Sequence, residues 1–154
     1  MHLWKALATV DERIKEHLMH LNRYHLFLCD ARNIPYETFM ASPIYQASSE
    51  RFLQLAIESC LNIGNRLISL IQFQKPVKAP ETYADIFKTM EEIGIVDSEF
   101  SKRLVKMAKF RNRLVHLYWE IDRNTLYQFL QENLDDFVLF RNCVVDFINA
   151  NRMP

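Results

Sequence analysis

Apolar residues recur at Leu3, Leu7, Val10, Ile14, Leu18, Leu21 and Leu28, the spacing of one helical face sustained over many turns. This predicts a first helix over residues 3–29. His25 occupies one position of the same stripe and reads as a core or rim histidine rather than a ligand. Pro35 and Pro43 bracket a linker, and the stripe Phe52, Leu55, Ala56, Ser59, Ile63, Leu67 and Leu70 predicts a second long helix over 44–72. Small residues at Ser59, Cys60 and Gly64 would let a neighbouring helix approach closely. Such packing would offset the roughly 1 kcal/mol that a glycine costs relative to alanine inside a helix. The run Lys75-Pro76-Val77-Lys78-Ala79-Pro80 cannot continue a helix and reads as a connector. Thr82 can cap a short helix, with Asp85 near its positive end and Gly94 closing it. Asp97 or Ser98 opens the next helix, which the apolar pattern carries through Tyr118. A last helix starts near Asp122 or Asn124, carries Leu126, Phe129, Leu130, Phe137, Phe140, Val144 and Phe147, and ends around Ala150. The expected fold is all-α, an up-and-down bundle of four long helices and one short helix, in a single domain spanning residues 1–154.

Composition sharpens this reading. With two glycines in 154 residues, long helices are favoured over a turn-rich β fold. A chain of this length buries enough surface to need no disulfide or metal staple. The three cysteines, Cys29, Cys60 and Cys143, are far apart, lack the close pairing of a zinc site, and read as small buried residues. No apolar run approaches the roughly 18 residues of a membrane span. Asp11, Glu12 and Arg13 soon interrupt the apolar N-terminus, unlike a signal peptide, so the expected location is cytoplasmic with no membrane partner. Nineteen basic residues balance nineteen acidic ones, so any nucleic-acid partner must be held by a local patch.

The helix from Phe100 to Tyr118 breaks its own pattern. Phe100, Leu104, Met107, Ala108, Leu114, Val115 and Tyr118 form a broad apolar stripe, and Arg111 falls within about 20° of its centre. A guanidinium so placed loses hydration worth several kcal/mol unless it finds partners. One reading is a purely structural ion pair with a carboxylate from another helix, Glu50 or Glu58. The other weighs the company Arg111 keeps. Ser101 to Trp119 carries Lys102, Arg103, Lys106, Lys109, Arg111 and Arg113 with no acid. Lys102, Lys106, Lys109 and Arg113 share one exposed side, a candidate phosphate-binding surface. Asn112 and His116 lie four apart and flank it. An imidazole exchanges protons near neutral pH, and a guanidinium can stabilise charge developing on a phosphate. Arg111 and His116 therefore suffice chemically for RNA cleavage by a neighbouring 2′-hydroxyl, without metal or cofactor.

At these residues the chain resembles the HEPN superfamily, in its HepT toxin branch. The signature is an Arg, a polar residue, three variable residues and a His, here Arg111, Asn112, Arg113 to Val115 and His116. The HepT branch adds a Tyr two residues on, here Tyr118, with Phe110 before and Trp119-Glu120-Ile121-Asp122 after. Leu61 to Ile68 resembles the family's second helix and Tyr83-Ala84-Asp85-Ile86-Phe87 its short third. The resemblance covers nearly the whole chain. It implies a homodimeric or higher-order helical bundle and a metal-independent endoribonuclease toxin, with Arg111 and His116 catalytic and Asn112 supporting. It also implies a cognate MntA-like minimal nucleotidyltransferase antitoxin that silences the toxin by transferring AMP to Tyr118. The alternative function is a non-catalytic helical partner that binds nucleotide or RNA for the nucleotidyltransferase.

Ideal helix geometry adds a constraint. Arg111 and His116 point about 140° apart, whereas Arg111 and Tyr118 nearly coincide. To act on one phosphate, the Arg side chain must wrap around, the helix must distort, or the site must be composite across a dimer.

Overall fold

The computed structural model describes residues 3–116 and 121–151, with side chains from residue 12 onward. Among the described residues the chain forms α1 (Leu3–Arg32), α2 (Tyr36–Ala41), α3 (Pro43–Ile71), α4 (Tyr83–Ile93), α5 (Ser98–His116), α6 (Arg123–Glu132) and α7 (Asp135–Ala150). The fold is the expected all-α bundle. Its axis is α3, which packs against every other helix and buries Leu53, Ala56, Ile57, Cys60, Ile63 and Leu67 completely. The stripe on α1 behaves as its spacing predicts: Ile14, Leu21 and Leu28 are buried, and His25 is half-buried at the rim, its ring edge-on to Phe137. Of the cysteines only Cys60 is fully buried; Cys29 and Cys143 are half-buried, and all three are free thiols.

Two elements depart from the sequence reading. The segment between the prolines is not a plain linker, because Phe39 is fully buried and pulls residues 36–41 into a short helix. The Pro35 carbonyl accepts the Phe39 N–H at 2.9 Å, and the Ser42 hydroxyl then caps α3 with Pro43 in its first turn. The expected last helix is two helices. It stops at Asn133, and Asp135 and Asp136 open α7, where acidic side chains favour the positive end. Leu134, between them, is buried at 1% exposure, so the bend turns an apolar anchor inward rather than a polar loop outward.

Local signals around α4 hold in detail. Thr82 and Asp85 form a reciprocal capping box, and Gly94 closes the helix at φ 94°, a left-handed conformation that glycine adopts without strain. A Cβ built on Gly64 would lie 2.8 Å from both Ile86 Cγ2 and Met90 Sδ. That glycine is what lets α4 press onto α3, and the contact brings the start of α4 beside the end of α5.

Candidate active site

Arg111 is 11% exposed in its side chain, as a charge in the middle of an apolar stripe would be. It escapes isolation by turning toward α3. Its Nε and Nη2 donate to the single oxygen Oε1 of Glu58, at 3.1 and 2.7 Å. Gln54 Nε2 donates to the same oxygen at 3.1 Å. The partner is thus Glu58 and not Glu50, whose half-buried carboxyl is pushed above the usual range by desolvation. The guanidinium carbon stands 4.7 Å from the ring centre of Tyr83 at the start of α4, a cation–π contact. The remaining nitrogen, Nη1, donates to Asn112 Oδ1 at 3.3 Å. A guanidinium carries five N–H donors, so two remain uncommitted among the described residues.

Asn112 and Tyr83 then connect Arg111 to His116. All three of Asn112, Tyr83 and His116 line one open cleft of about 590 Å³, together with Asn65, Pro80, Glu81, Thr82 and Ile86. Helix α5 runs unbroken through His116, so distortion is not how the two basic side chains are reconciled. The guanidinium instead reaches residues that wall the cleft of His116.

A profile described as Ribonuclease HepT-like matches residues 10–144. The chain belongs to the HepT-like ribonuclease family. It is 30% identical over 98 residues to the mRNA nuclease HepT of Shewanella oneidensis, an alignment spanning 64% of this chain and 68% of that protein. It is 26% identical over 134 residues to the tRNA nuclease HepT of Aphanizomenon flos-aquae, spanning 87% of this chain and 84% of that one. Among solved structures, a tri-AMPylated Shewanella oneidensis HEPN toxin in complex with MNT antitoxin superposes with a TM-score of 0.76 at 23% identity, covering 86% of this chain and 96% of that one. The cytosolic protein YutE of Bacillus subtilis, of unknown function, gives 0.78 at 19% identity, covering 94% of each chain. At such identities these superpositions speak to the fold alone.

The described residues expected at the site divide into two groups in space. Arg111, Asn112 and His116 come together around the cleft. Lys102, Lys106, Lys109 and Arg113 are exposed along α5, as the wheel predicts, and none of them pairs with a carboxylate among the described residues. They do not line the cleft of His116; Lys106 borders a separate hollow with Arg103 and Phe129. Tyr118 lies outside the described residues. The acid-free run also loses one member in three dimensions, because Arg103 holds Asp136 of α7 with Nη2 to Oδ1 at 3.1 Å. In the sequence Glu58 stands only as one of two carboxylates able to pair with Arg111, and nothing marks Tyr83 or Asn65 as site residues. Tyr83 sits directly after the Thr82 cap, but nothing local shows which helix its ring will meet.

Proposed function

We propose that this HepT-like ribonuclease is the toxin of a toxin–antitoxin pair and cleaves RNA at the α3–α4–α5 cleft. His116 takes the proton of the ribose 2′-hydroxyl. The 2′-oxygen bonds to the adjacent phosphorus, the bond from phosphorus to the 5′-oxygen breaks, and the proton returns to that leaving oxygen. The products are a 2′,3′-cyclic phosphate and a 5′-hydroxyl, with no metal and no cofactor. Arg111 stabilises the charge that builds on the non-bridging oxygens, using the N–H donors that Glu58 and Asn112 leave free. Asn112 supports it by holding Nη1. Lys102, Lys106, Lys109 and Arg113 draw the RNA backbone along α5 toward His116. The single observation that carries this reading is the connection of Arg111 to the His116 cleft through Asn112 and Tyr83.

The further parts of the reading follow the family. Residues 1–154 act as one domain, in the cytoplasm, as a homodimer or higher oligomer. A cognate MntA-like minimal nucleotidyltransferase silences the toxin by adding AMP to Tyr118, placing negative charge and adenosine where substrate phosphate would compete for Arg111. Among the described residues no helix is long and apolar enough to cross a membrane.

The test is cleavage of total RNA by wild-type protein beside Arg111→Ala and His116→Ala, with and without EDTA. His116→Ala should slow cleavage at least about a hundredfold, and EDTA should leave the wild type active. Wild-type protein that binds RNA without cutting it would overturn the catalytic reading in favour of a non-catalytic nucleotide- or RNA-binding partner.

A further inference from the structure

The cleft beside His116 is larger than proton transfer requires. At about 590 Å³ it falls within the roughly 300–1,000 Å³ of small-molecule sites, and its walls are not suited to a second phosphate. Glu81 is among its lining residues, and its carboxylate stands 4.0 Å from Lys78 Nζ in an exposed ion pair. The backbone N–H groups of Glu81 and Thr82, at the start of α4, both donate to Asp85 Oδ2 at 3.2 Å and are not free for an anion. These bonds, led by that of Glu81, hold the Asp85 carboxyl below the usual carboxylate range and keep it charged. This side of the cleft is therefore short of free backbone donors.

What it offers instead is an aromatic ring and two amides. Tyr83 is 44% exposed although Arg111 covers part of it. Asn65, exposed on α3, has an amide that makes no hydrogen bond among the described residues. Asn112 uses its carbonyl oxygen on Arg111 and keeps its NH₂ donors. An aromatic surface with adaptable amide donors and acceptors, shielded from phosphate, is how proteins take up an unstacked base from single-stranded RNA.

The geometry points to a nucleobase subsite here, in which the base next to the scissile phosphate stacks against Tyr83 and presents its edge to Asn65. Resting on the proposed ribonuclease function, this makes Asn65 and Tyr83 the residues that set base preference at one position beside the cut. The basic row of α5 carries the backbone, the cleft takes the base, and His116 stands where the two meet.

Two arms test it. In the first, a randomised single-stranded RNA pool is cut by wild type, Asn65→Ala and His116→Ala, and the cleavage positions are sequenced. The expected result is a base preference at one flanking position in wild type that Asn65→Ala flattens about tenfold. In the second, short RNAs carrying 2-aminopurine at successive positions are titrated into folded His116→Ala protein, whose fluorescence change reports stacking without cleavage. One position should be quenched, and adding Tyr83→Leu should weaken binding by about fivefold to a hundredfold. An unchanged preference in Asn65→Ala overturns the subsite, even where wild type cuts and His116→Ala does not, which leaves the ribonuclease reading standing. Quenching by free 2-aminopurine riboside monophosphate with none at any RNA position overturns the assignment to the substrate strand. Should wild type fail to cut RNA at all, the ribonuclease reading fails, and the stacking arm still decides whether a base enters the cleft.

Discussion

Replacing Glu58 by alanine takes from Arg111 the acceptor of its two shortest hydrogen bonds and the only carboxylate with which it pairs among the described residues. Both bonds end on one oxygen, at 3.1 and 2.7 Å, so they do not count as two independent charged pairs. A hydrogen bond to a charged group contributes about 1.5–3 kcal/mol, and severing a fully buried pair costs about 3–5 kcal/mol. Glu58 is 28% exposed and Arg111 11%, which lets water reach the guanidinium once the carboxylate is gone and argues for the lower figure. The expected loss is about 2 kcal/mol, a fall of about 4–8 °C in Tm for a chain of this size. Cleavage should suffer separately. Without Glu58, only Asn112 and the Tyr83 ring among the described residues steer the guanidinium, and kcat should fall at least about tenfold through lost preorganisation. Glu58→Gln keeps an acceptor oxygen in place, so its kcat should remain within about threefold of wild type despite a lower Tm. Thermal unfolding and single-turnover cleavage on one RNA, compared across the three proteins, separate the two effects. An alanine variant that cuts as fast as wild type, or faster, would refute the positioning role and make Glu58 a brake that competes with substrate phosphate.

Gly64→Ala should destabilise the protein by about 1–2 kcal/mol in urea unfolding, since overpacking against the stiff Ile86 branch outweighs the gain of about 1 kcal/mol in helix propensity; a more stable variant would show that α4 can shift freely. Burial lowers the pKa values of His17 and His25, the latter helped by Arg32 and Arg141. Their folded pKa values lie below the unfolded value of 6.5, so their contribution to stability is present above that pH and is lost as pH falls through the folded values. The urea midpoint should therefore drop between pH 7.5 and about 5, less so in His25→Gln; an equal drop in that variant would exclude His25 as a source. Protein co-expressed with its active nucleotidyltransferase should gain AMP in intact-mass spectra and Tyr118→Phe should not, whereas unmodified wild type would defeat this account of silencing.

The sequence by itself determined what local periodicity and capping can encode. Helix spans, the Thr82–Asp85 box, the Gly94 stop and the exposed row from Lys102 to Arg113 all depend on residues within a few positions of one another. So did the misplacement of Arg111, because a wheel shows which face a side chain occupies. The resemblance to the HepT branch likewise rested on short runs, Arg111 to Tyr118 with its flanks, Leu61 to Ile68 and Tyr83 to Phe87. Tertiary structure decided which side chains meet across helices. Glu58 rather than Glu50 takes Arg111, since both belong to α3 and only packing sets which turn stands opposite. Tyr83 and Asn65 reach the His116 cleft because Gly64 lets α4 settle onto α3, a contact between residues that no local spacing relates. The break at Asn133 and the helix at 36–41 have the same origin: Leu134 and Phe39 gain more by entering a core built from other helices than the chain loses in bending.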